Sequence, residues 1–215
     1  TSESIVAEAG ATEVEVPVDG EGPIEVSAVV GNAELSANLS LPSGIDVGEG
    51  ELASDGTVVF PASFSDAETG AVAVQTLRDG ATRIQTVIAN PTAEHEFGYS
   101  LEGFRATIDS EGQAGFVSDD AFVPVEAAWA TDANGSPVDT YYEVRGKQLF
   151  QVVVSDAHTA YPVVADPTWQ WKSAAWGMTL SRKETASITD YAVAAGMCAA
   201  FVNKSKLVAG CGAYA

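Results

Sequence analysis

Polar and apolar residues alternate along much of the first 165 residues. In "TEVEVPV", Glu13 and Glu15 alternate with Val14 and Val16. The same period of two recurs in "IEVSAVV", "AELSANLSL", "AVAVQTL", "TRIQTVIA", "FRATI", "TYYEVRG" and "KQLFQVVV". Successive side chains of a strand point to opposite faces of its sheet. The pattern therefore predicts β-strands that each bury one face and expose the other.

Short segments rich in Gly, Asp, Ser and Asn separate these runs. They are "DGEGP" at 19–23, "PSG" at 42–44, "SDG" at 54–56, "RDG" at 78–80, "SEGQ" at 110–113 and "ANGS" at 133–136. The strongest hairpin signal is "LRDGATR", because Asp79 and Gly80 can adopt the positive φ angles of a tight primed turn. This spacing predicts a mainly β domain of about twelve short antiparallel strands, folded as a β-sandwich or a rolled meander.

The pattern changes to a helical period near residue 181. Ser181 followed by Glu184 forms a capping box, which is typical of a helix start. One predicted helix face then carries Ile188, Tyr191, Ala195, Cys198 and Val202. A turn at "NKS" (203–205) and the segment "KLVAGCGAYA" complete a predicted C-terminal α-helical hairpin. The expected organisation is an acidic β domain at 1–165, a Trp-rich junction at 166–180 and a helical hairpin at 181–215.

The junction holds three of the chain's four tryptophans, in "YPVVADPTWQWKSAAWGM". They are Trp169, Trp171 and Trp176. Each ring can bury about 150–250 Å², which is enough to pack a helix against a sheet. Exposed tryptophans can instead anchor a partner, so these rings and the edge strands are also candidate interaction residues.

Charge is divided unevenly between the two parts of the chain. The whole chain has a net charge of -20, yet residues 171–215 hold five basic and only two acidic residues. The basic ones are Lys172, Arg182, Lys183, Lys204 and Lys206. The acidic excess makes nucleic acid an unfavourable partner. The division indicates either an ordinary acidic domain with a near-neutral end or an acidic domain that covers a cationic segment.

Cys198 and Cys211 are the chain's two cysteines. The midpoint between them falls in the predicted 203–205 turn, so a helical hairpin would place them roughly opposite each other. A disulfide there would close a loop of about fourteen residues, worth about 3 kcal/mol in the loop-entropy treatment. The alternative is a pair of buried free thiols. Two cysteines without a nearby histidine cannot complete a tetrahedral metal site.

Candidate catalytic and ligand-binding motifs are weak. His95 and His158 lie in polar, turn-like segments and are expected to be solvated, and no Gly-x-Ser-x-Gly elbow accompanies them. Asp132, Asn134 and Asp139 faintly resemble a calcium loop but lack its final glutamate, so a plain turn is the favoured interpretation. No phosphate-binding or dinucleotide-binding glycine motif is present, and no cofactor or metal is predicted.

The N-terminal segment is that expected of an exported protein. "TSESIVAEAGATEVEV" begins without methionine and contains no apolar signal core. This start is expected of a processed, exported protein, although a cloning boundary would look the same. The longest apolar run, Ala192 to Val202, is shorter than the roughly 20 residues that a membrane-spanning helix needs.

The segment "PVEAAWATDANGSPVDTYYEVRGKQLFQVVV", running into "YPVVADPTW", carries a family resemblance. It resembles a group of secreted actinobacterial proteins of uncharacterised function that end a strand block with a "YPV-x-x-DPT" signature. A similar junction precedes variable modules in RHS-type surface and toxin proteins. The resemblance covers roughly residues 55–170. It implies export, a β-rich platform and a variable C-terminal functional piece, and it names no catalytic residue.

These observations lead to three hypotheses about function. The first is a non-enzymatic exported protein that serves extracellular interaction, self-assembly or a surface structure. The second is a precursor whose acidic domain masks a cationic, membrane-active, bacteriocin-like peptide. Only under this hypothesis would the protein contact a membrane, through residues 172–215. The third is a hydrolase that uses two carboxylates.

Overall fold

A computed structural model describes residues 3–30, 33–63, 69–119 and 121–171. The predicted mainly β class is confirmed: these residues form antiparallel strands and contain no α-helix. The first strands are β1 (Ser4–Ala9), β2 (Thr12–Pro17), β3 (Ile24–Val30), β4 (Ala33–Leu39), β5 (Asp46–Val47), β6 (Glu51–Leu52), β7 (Val58–Ser63), β8 (Thr69–Thr76) and β9 (Thr82–Ile88). The others are β10 (Glu96–Tyr99), β11 (Arg105–Ile108), β12 (Ala114–Val117), β13 (Phe122–Pro124), β14 (Trp129–Thr131), β15 (Asp139–Arg145), β16 (Gln148–Val154), β17 (Val163–Asp166) and β18 (Thr168–Trp169).

Two large sheets face each other across one hydrophobic core. The first contains β1-β2-β3-β4 and continues to β10-β16-β15, because Leu39 bridges Leu101 and Ser43 N donates to Gly98 O. The second has the order β14-β17-β9-β8-β7-β5, with β6 on β7 and β18 on β9. Buried side chains from both sheets form one cluster. The fold is therefore β-sandwich-like.

A short third sheet, β11-β12-β13, connects the two large ones. Ala106 N donates to Lys147 O at 3.0 Å, next to the β15–β16 turn of the first sheet. Val125, just after β13, bridges Trp169 of β18 in the second sheet. The short sheet thus links the two layers at one side of the core.

The strands that alternation predicted are all present, and the described residues hold eighteen strands rather than about twelve. Several additional strands have only two or three residues, which is too short to show a period. Strands β17 and β18 also carry the sheet past residue 165, as far as Trp169. The predicted helical hairpin at 181–215 lies outside the described residues.

The hairpin predicted at "LRDGATR" forms between β8 and β9. Leu77 N donates to Ala81 O at 2.8 Å, so three residues lie within the loop rather than the two of a tight primed turn. Gly80 takes φ +89 there, and a Cβ on it would lie 2.7 Å from Thr12 Oγ1. The β8–β9 turn therefore packs directly against the β1–β2 turn.

Candidate interaction face

The outer surface of strands β1 to β3 carries four glutamates. Along β2, Val14 and Val16 are buried in the core, so Glu13 and Glu15 project outward. The strand register places Glu13 opposite Glu8 of β1, and Glu15 opposite Glu25 of β3. We call Glu8, Glu13, Glu15 and Glu25 the glutamate face.

Like charges stand directly opposite each other on this face. Directly opposed residues of neighbouring strands have Cβ atoms roughly 4.5–5.5 Å apart, and two like charges in such a pair are destabilising. The ion pairs between described residues join Arg83 to Asp166, and Arg145 to Glu96 of β10 and Glu143 of its own strand. Glu8, Glu13, Glu15 and Glu25 take part in none of the ion pairs formed between described residues.

Apolar side chains share the same outer surface. Val6 lies opposite Glu15, and Val29 follows Glu25 on the outward side of β3. Each of these valines is 54% exposed. The surface therefore offers both negative charge and apolar area, which suits a partner segment that carries basic and apolar side chains.

Two grooves adjoin the glutamate face at the β2–β3 turn. An acidic groove of about 390 Å³ is lined by Ser4, Glu15, Pro17, Asp19, Glu21, Gly22, Pro23 and Glu25. A second groove of about 520 Å³ shares Glu21, Gly22 and Pro23 with it and has Leu41, Ile45 and Val47 in its lining. Glu102 on the second groove accepts a hydrogen bond from Asn38 Nδ2 at 2.7 Å. The negative surface thus continues from the strands into a partly apolar groove.

Trp169 and Trp171 lie in the core. Both are fully buried. Trp171 Nε1 donates to Thr82 Oγ1 at 2.8 Å, and the Trp169 ring meets Tyr99 edge to face at 5.4 Å between centroids. These two rings fill the interior and expose no surface for a partner. Trp176, the third candidate junction residue, lies outside the described residues.

Asp166 and Thr168, from the "DPT" part of the signature, connect β17 and β18 to Arg83 of β9. Arg83 Nε lies 2.9 Å from Asp166 Oδ2 and 3.1 Å from Thr168 Oγ1. Thr168 in turn donates its hydroxyl to Asp166 Oδ2 at 2.9 Å, and the Arg83 guanidinium lies over the Trp129 ring at 5.9 Å. Burial raises the pKa of Asp166 to about 6, although the Thr168 hydrogen bond and the Arg83 charge act in the opposite direction. The contacts made by these residues are structural.

The tyrosine of the signature contacts His95. His95 Nδ1 lies 2.6 Å from Ala93 O, which can only accept, so Nδ1 carries a proton. Nε2 lies 2.8 Å from Tyr161 Oη and 3.4 Å from Ser155 Oγ. His95 is half-buried, which differs from the expected solvated histidine, whereas His158 is exposed. His95 Nε2 thus contacts two hydroxyl groups, of which that of Tyr161 is the nearer.

Of the residues of the possible calcium loop, Asp132 and Asn134 lie in a turn, whereas Asp139 begins strand β15. Asp132 Oδ1 accepts hydrogen bonds from Asn134 N at 2.9 Å and Ser136 N at 2.8 Å. These backbone hydrogen bonds, led by that from Ser136, lower the pKa of Asp132. Among the residues that the structure describes, no group of three or more His, Cys, Asp or Glu side chains could hold a metal ion. The hydrogen bonds of Asp132 confirm the predicted turn for residues 132–136.

The remaining predicted site residues lie outside the described part of the chain. They are Cys198, Cys211, Lys172, Arg182, Lys183, Lys204 and Lys206. The disulfide and the cationic segment therefore stay predictions. Within residues 3–171 as described, no helix is long and apolar enough to cross a membrane.

Comparison with known proteins does not assign this chain to a family. Neither protein-family models nor curated protein sequences match this chain. The resemblance carried by "YPVVADPTW" stays a prediction.

Proposed function

We propose that the protein is a non-enzymatic, exported protein that serves extracellular interaction, assembly or a surface structure, and that its glutamate face binds a cationic partner. The observation that carries the proposal is the register that sets Glu8 against Glu13 and Glu15 against Glu25. Opposed like charges cost folding stability, so a sequence selected for stability alone would avoid this arrangement. A cationic ligand would reverse the cost by neutralising both members of each pair.

The shape and polarity of the surface support the same class of partner. The valines beside the glutamates and the partly apolar groove at the β2–β3 turn suit a peptide that carries both basic and apolar side chains. Negative potential over the face would also accelerate the approach of such a peptide at low salt. The proposed ligand class is thus a basic, partly apolar polypeptide segment.

Binding of a deca-lysine peptide, measured by isothermal titration calorimetry at low ionic strength, tests the proposal. The protein for this assay is the full chain with Lys172, Arg182, Lys183, Lys204 and Lys206 changed to Gln, here called the neutralised chain. Its own basic residues then cannot compete with the peptide. We expect binding that weakens as salt rises, because salt screens charges at the surface.

Changing Glu13, Glu15 and Glu25 together to Gln in the neutralised chain should weaken deca-lysine binding at least tenfold. The control changes Glu51 and Glu111, which are exposed and lie on other strands or turns, to Gln and should leave affinity within about twofold. These expectations follow from the short range of screened charge interactions. Equal losses in both variants would show non-specific attraction to an acidic protein and would overturn the proposal.

The uneven charge favours a second candidate function, a precursor of a membrane-active peptide. Residues 171–215 hold five basic and two acidic residues, whereas the whole chain has a net charge of -20. A peptide of residues 172–215 should then release dye from anionic lipid vesicles, and the full chain should not. Absence of leakage from both would reject this candidate.

A further inference from the structure

Two buried polar atoms on neighbouring strands of the first large sheet have no hydrogen-bond partner among the described residues. They are the hydroxyl oxygen of Tyr142 on β15 and Oε1 of Gln151 on β16. Folded proteins pair nearly all of their buried polar atoms, because an unpaired one has lost its hydrogen bonds to water without replacement. The two atoms therefore mark a place in the interior where hydrogen bonds remain to be made.

The strand register places Tyr142 and Gln151 side by side on the inner face of the sheet. They are directly opposed in the β15–β16 ladder, so their Cβ atoms lie roughly 4.5–5.5 Å apart on one face. Gln151 is fully buried, and Tyr142 packs against the hydrophobic core. Both polar side chains thus enter the space between the two large sheets.

The hydrogen bonds of Gln151 determine which of its amide atoms is unpaired. Gln151 Nε2 donates to Trp129 O at 3.0 Å and to Thr140 Oγ1 at 3.2 Å. The opposite amide orientation would place Oε1 against the Trp129 carbonyl, and two acceptors cannot bond. Oε1 is therefore the unpaired acceptor. The Tyr142 O–H is a donor on the next strand, yet it does not bond to Oε1 directly.

A carboxylate of the second large sheet lies near these two atoms. Asp166 is paired with Trp129 in the β14–β17 ladder, and Trp129 O accepts the hydrogen bond from Gln151. Burial raises the pKa of the Tyr142 hydroxyl well above its usual range, and the charge of Asp166 raises it further. Polar groups from both sheets thus converge on one buried position.

We propose that one internal water molecule binds between Tyr142 and Gln151 and connects the two layers of the sandwich. The water accepts a hydrogen bond from the Tyr142 hydroxyl and donates one to Gln151 Oε1. Its second hydrogen is directed toward the Asp166 carboxylate, which gives the three hydrogen bonds that are typical of a buried water. This site is independent of the glutamate face and of the partner proposed for it.

The chemistry of the site favours water over other small ligands. The ligand must accept from a hydroxyl and donate to an amide oxygen, and water does both within a closely packed interior. A cation could not accept the Tyr142 hydrogen bond. An anion could not donate to Gln151 Oε1, and it would be repelled by Asp166.

A high-resolution crystal structure of the full chain tests the assignment directly. We expect an ordered water within about 3.2 Å of both Tyr142 Oη and Gln151 Oε1. A direct hydrogen bond between Tyr142 and Gln151, or a site without electron density for water, would overturn the proposal.

Magnetic relaxation dispersion of oxygen-17 water counts long-lived internal waters in solution. The variant with both Tyr142→Phe and Gln151→Leu should hold one fewer such water than wild type, because it lacks the donor and the acceptor. Tyr141→Phe is the matched control: Tyr141 is the exposed neighbour on the same strand, and its substitution should leave the number of waters unchanged. An unchanged number in the folded double variant would contradict the proposal. If that variant does not fold, the wild-type crystal structure still decides the question.

Discussion

Asp166 Oδ2 lies 2.9 Å from Arg83 Nε, and the Asp166 side chain is 1% exposed while that of Arg83 is 27% exposed. The carboxylate is thus buried under a guanidinium that still reaches water. Desolvation outweighs the favourable charge, so the pKa of Asp166 rises to about 6 from its ordinary 3.8. The pair connects β17 to β9 and makes the folded state sensitive to pH.

The first prediction concerns this pH dependence. Because the folded pKa of Asp166 exceeds the unfolded value, the folded chain holds the proton more tightly, and the free energy of unfolding decreases as pH rises from about 4 to about 6. The decrease is at most about 3 kcal/mol, from 1.36 kcal/mol per pKa unit. The Asp166→Asn variant should lack this decrease in unfolding free energy. Urea unfolding of both proteins across pH 4 to 7 measures the difference.

The difference between the unfolding free energies of wild type and Asp166→Asn at each pH gives the contribution of Asp166. Backbone and side-chain hydrogen bonds lower the pKa of Asp132 and Asp156, and these groups give a slope of the opposite sign in both proteins. Parallel profiles for wild type and Asp166→Asn would show that Asp166 titrates normally in the folded chain.

The second prediction concerns the hydrogen bond that holds Trp171. Thr82→Val removes the acceptor 2.8 Å from Trp171 Nε1 and leaves a buried donor unpaired, which should cost about 1–3 kcal/mol of unfolding free energy. Thr86→Val on the same strand is the matched control, because Thr86 Oγ1 contacts Tyr99 Oη at a longer 3.5 Å. Urea unfolding should show the larger loss for Thr82→Val. A larger loss for Thr86→Val would contradict the assignment.

Alternation in the sequence predicts the long strands because each buries only one face. In β9, every second residue from Thr82 to Ile88 is buried, which is the pattern that "TRIQTVIA" displays. Two-residue strands such as β5 and β6 contain no full period, so their existence depends on neighbouring strands. Alternation therefore identifies half-buried strands and misses short edge segments.

The sequence predicts only part of the glutamate face. The period-two patterns of "TEVEVPV" and "IEVSAVV" already place Glu13, Glu15 and Glu25 on outward faces. The pairing of Glu15 with Glu25 depends on the length of the β2–β3 connection, which composition does not determine. Asp166 and Arg83 are likewise brought together only by the pairing of β17 and β18 with β9.

The third prediction concerns Gly98 of β10. A Cβ on Gly98 would lie 2.7 Å from Phe150 Cζ and 2.5 Å from Ser43 Oγ. The Phe150 ring also carries the Arg145 guanidinium at 4.6 Å, so it cannot move without breaking that contact. Gly98→Ala should therefore lower the unfolding free energy by about 1–3 kcal/mol.

A double-mutant cycle identifies the cause of that loss. Phe150→Ala provides room for the new methyl group, so Gly98→Ala should cost at least about 1 kcal/mol less in the Phe150→Ala background. Chemical denaturation of the four proteins gives the coupling. Additive losses would show that the methyl group does not collide with Phe150.

The fourth prediction tests the repulsion across β1 and β2. In the neutralised chain, Glu13→Gln removes a charge that faces Glu8, so the free energy of unfolding should rise by about a few tenths of a kcal/mol at low salt. Glu8→Gln relieves the same pair, and the double variant should therefore gain less than the sum. Salt near 1 M should abolish the gain in the neutralised chain, because the screening length is then about 3 Å. Glu111→Gln, in an exposed turn, is the control and should leave the free energy of unfolding of the neutralised chain unchanged. A loss of stability on Glu13→Gln in the neutralised chain would mean that the opposed glutamates do not repel, and the argument from their register would fail.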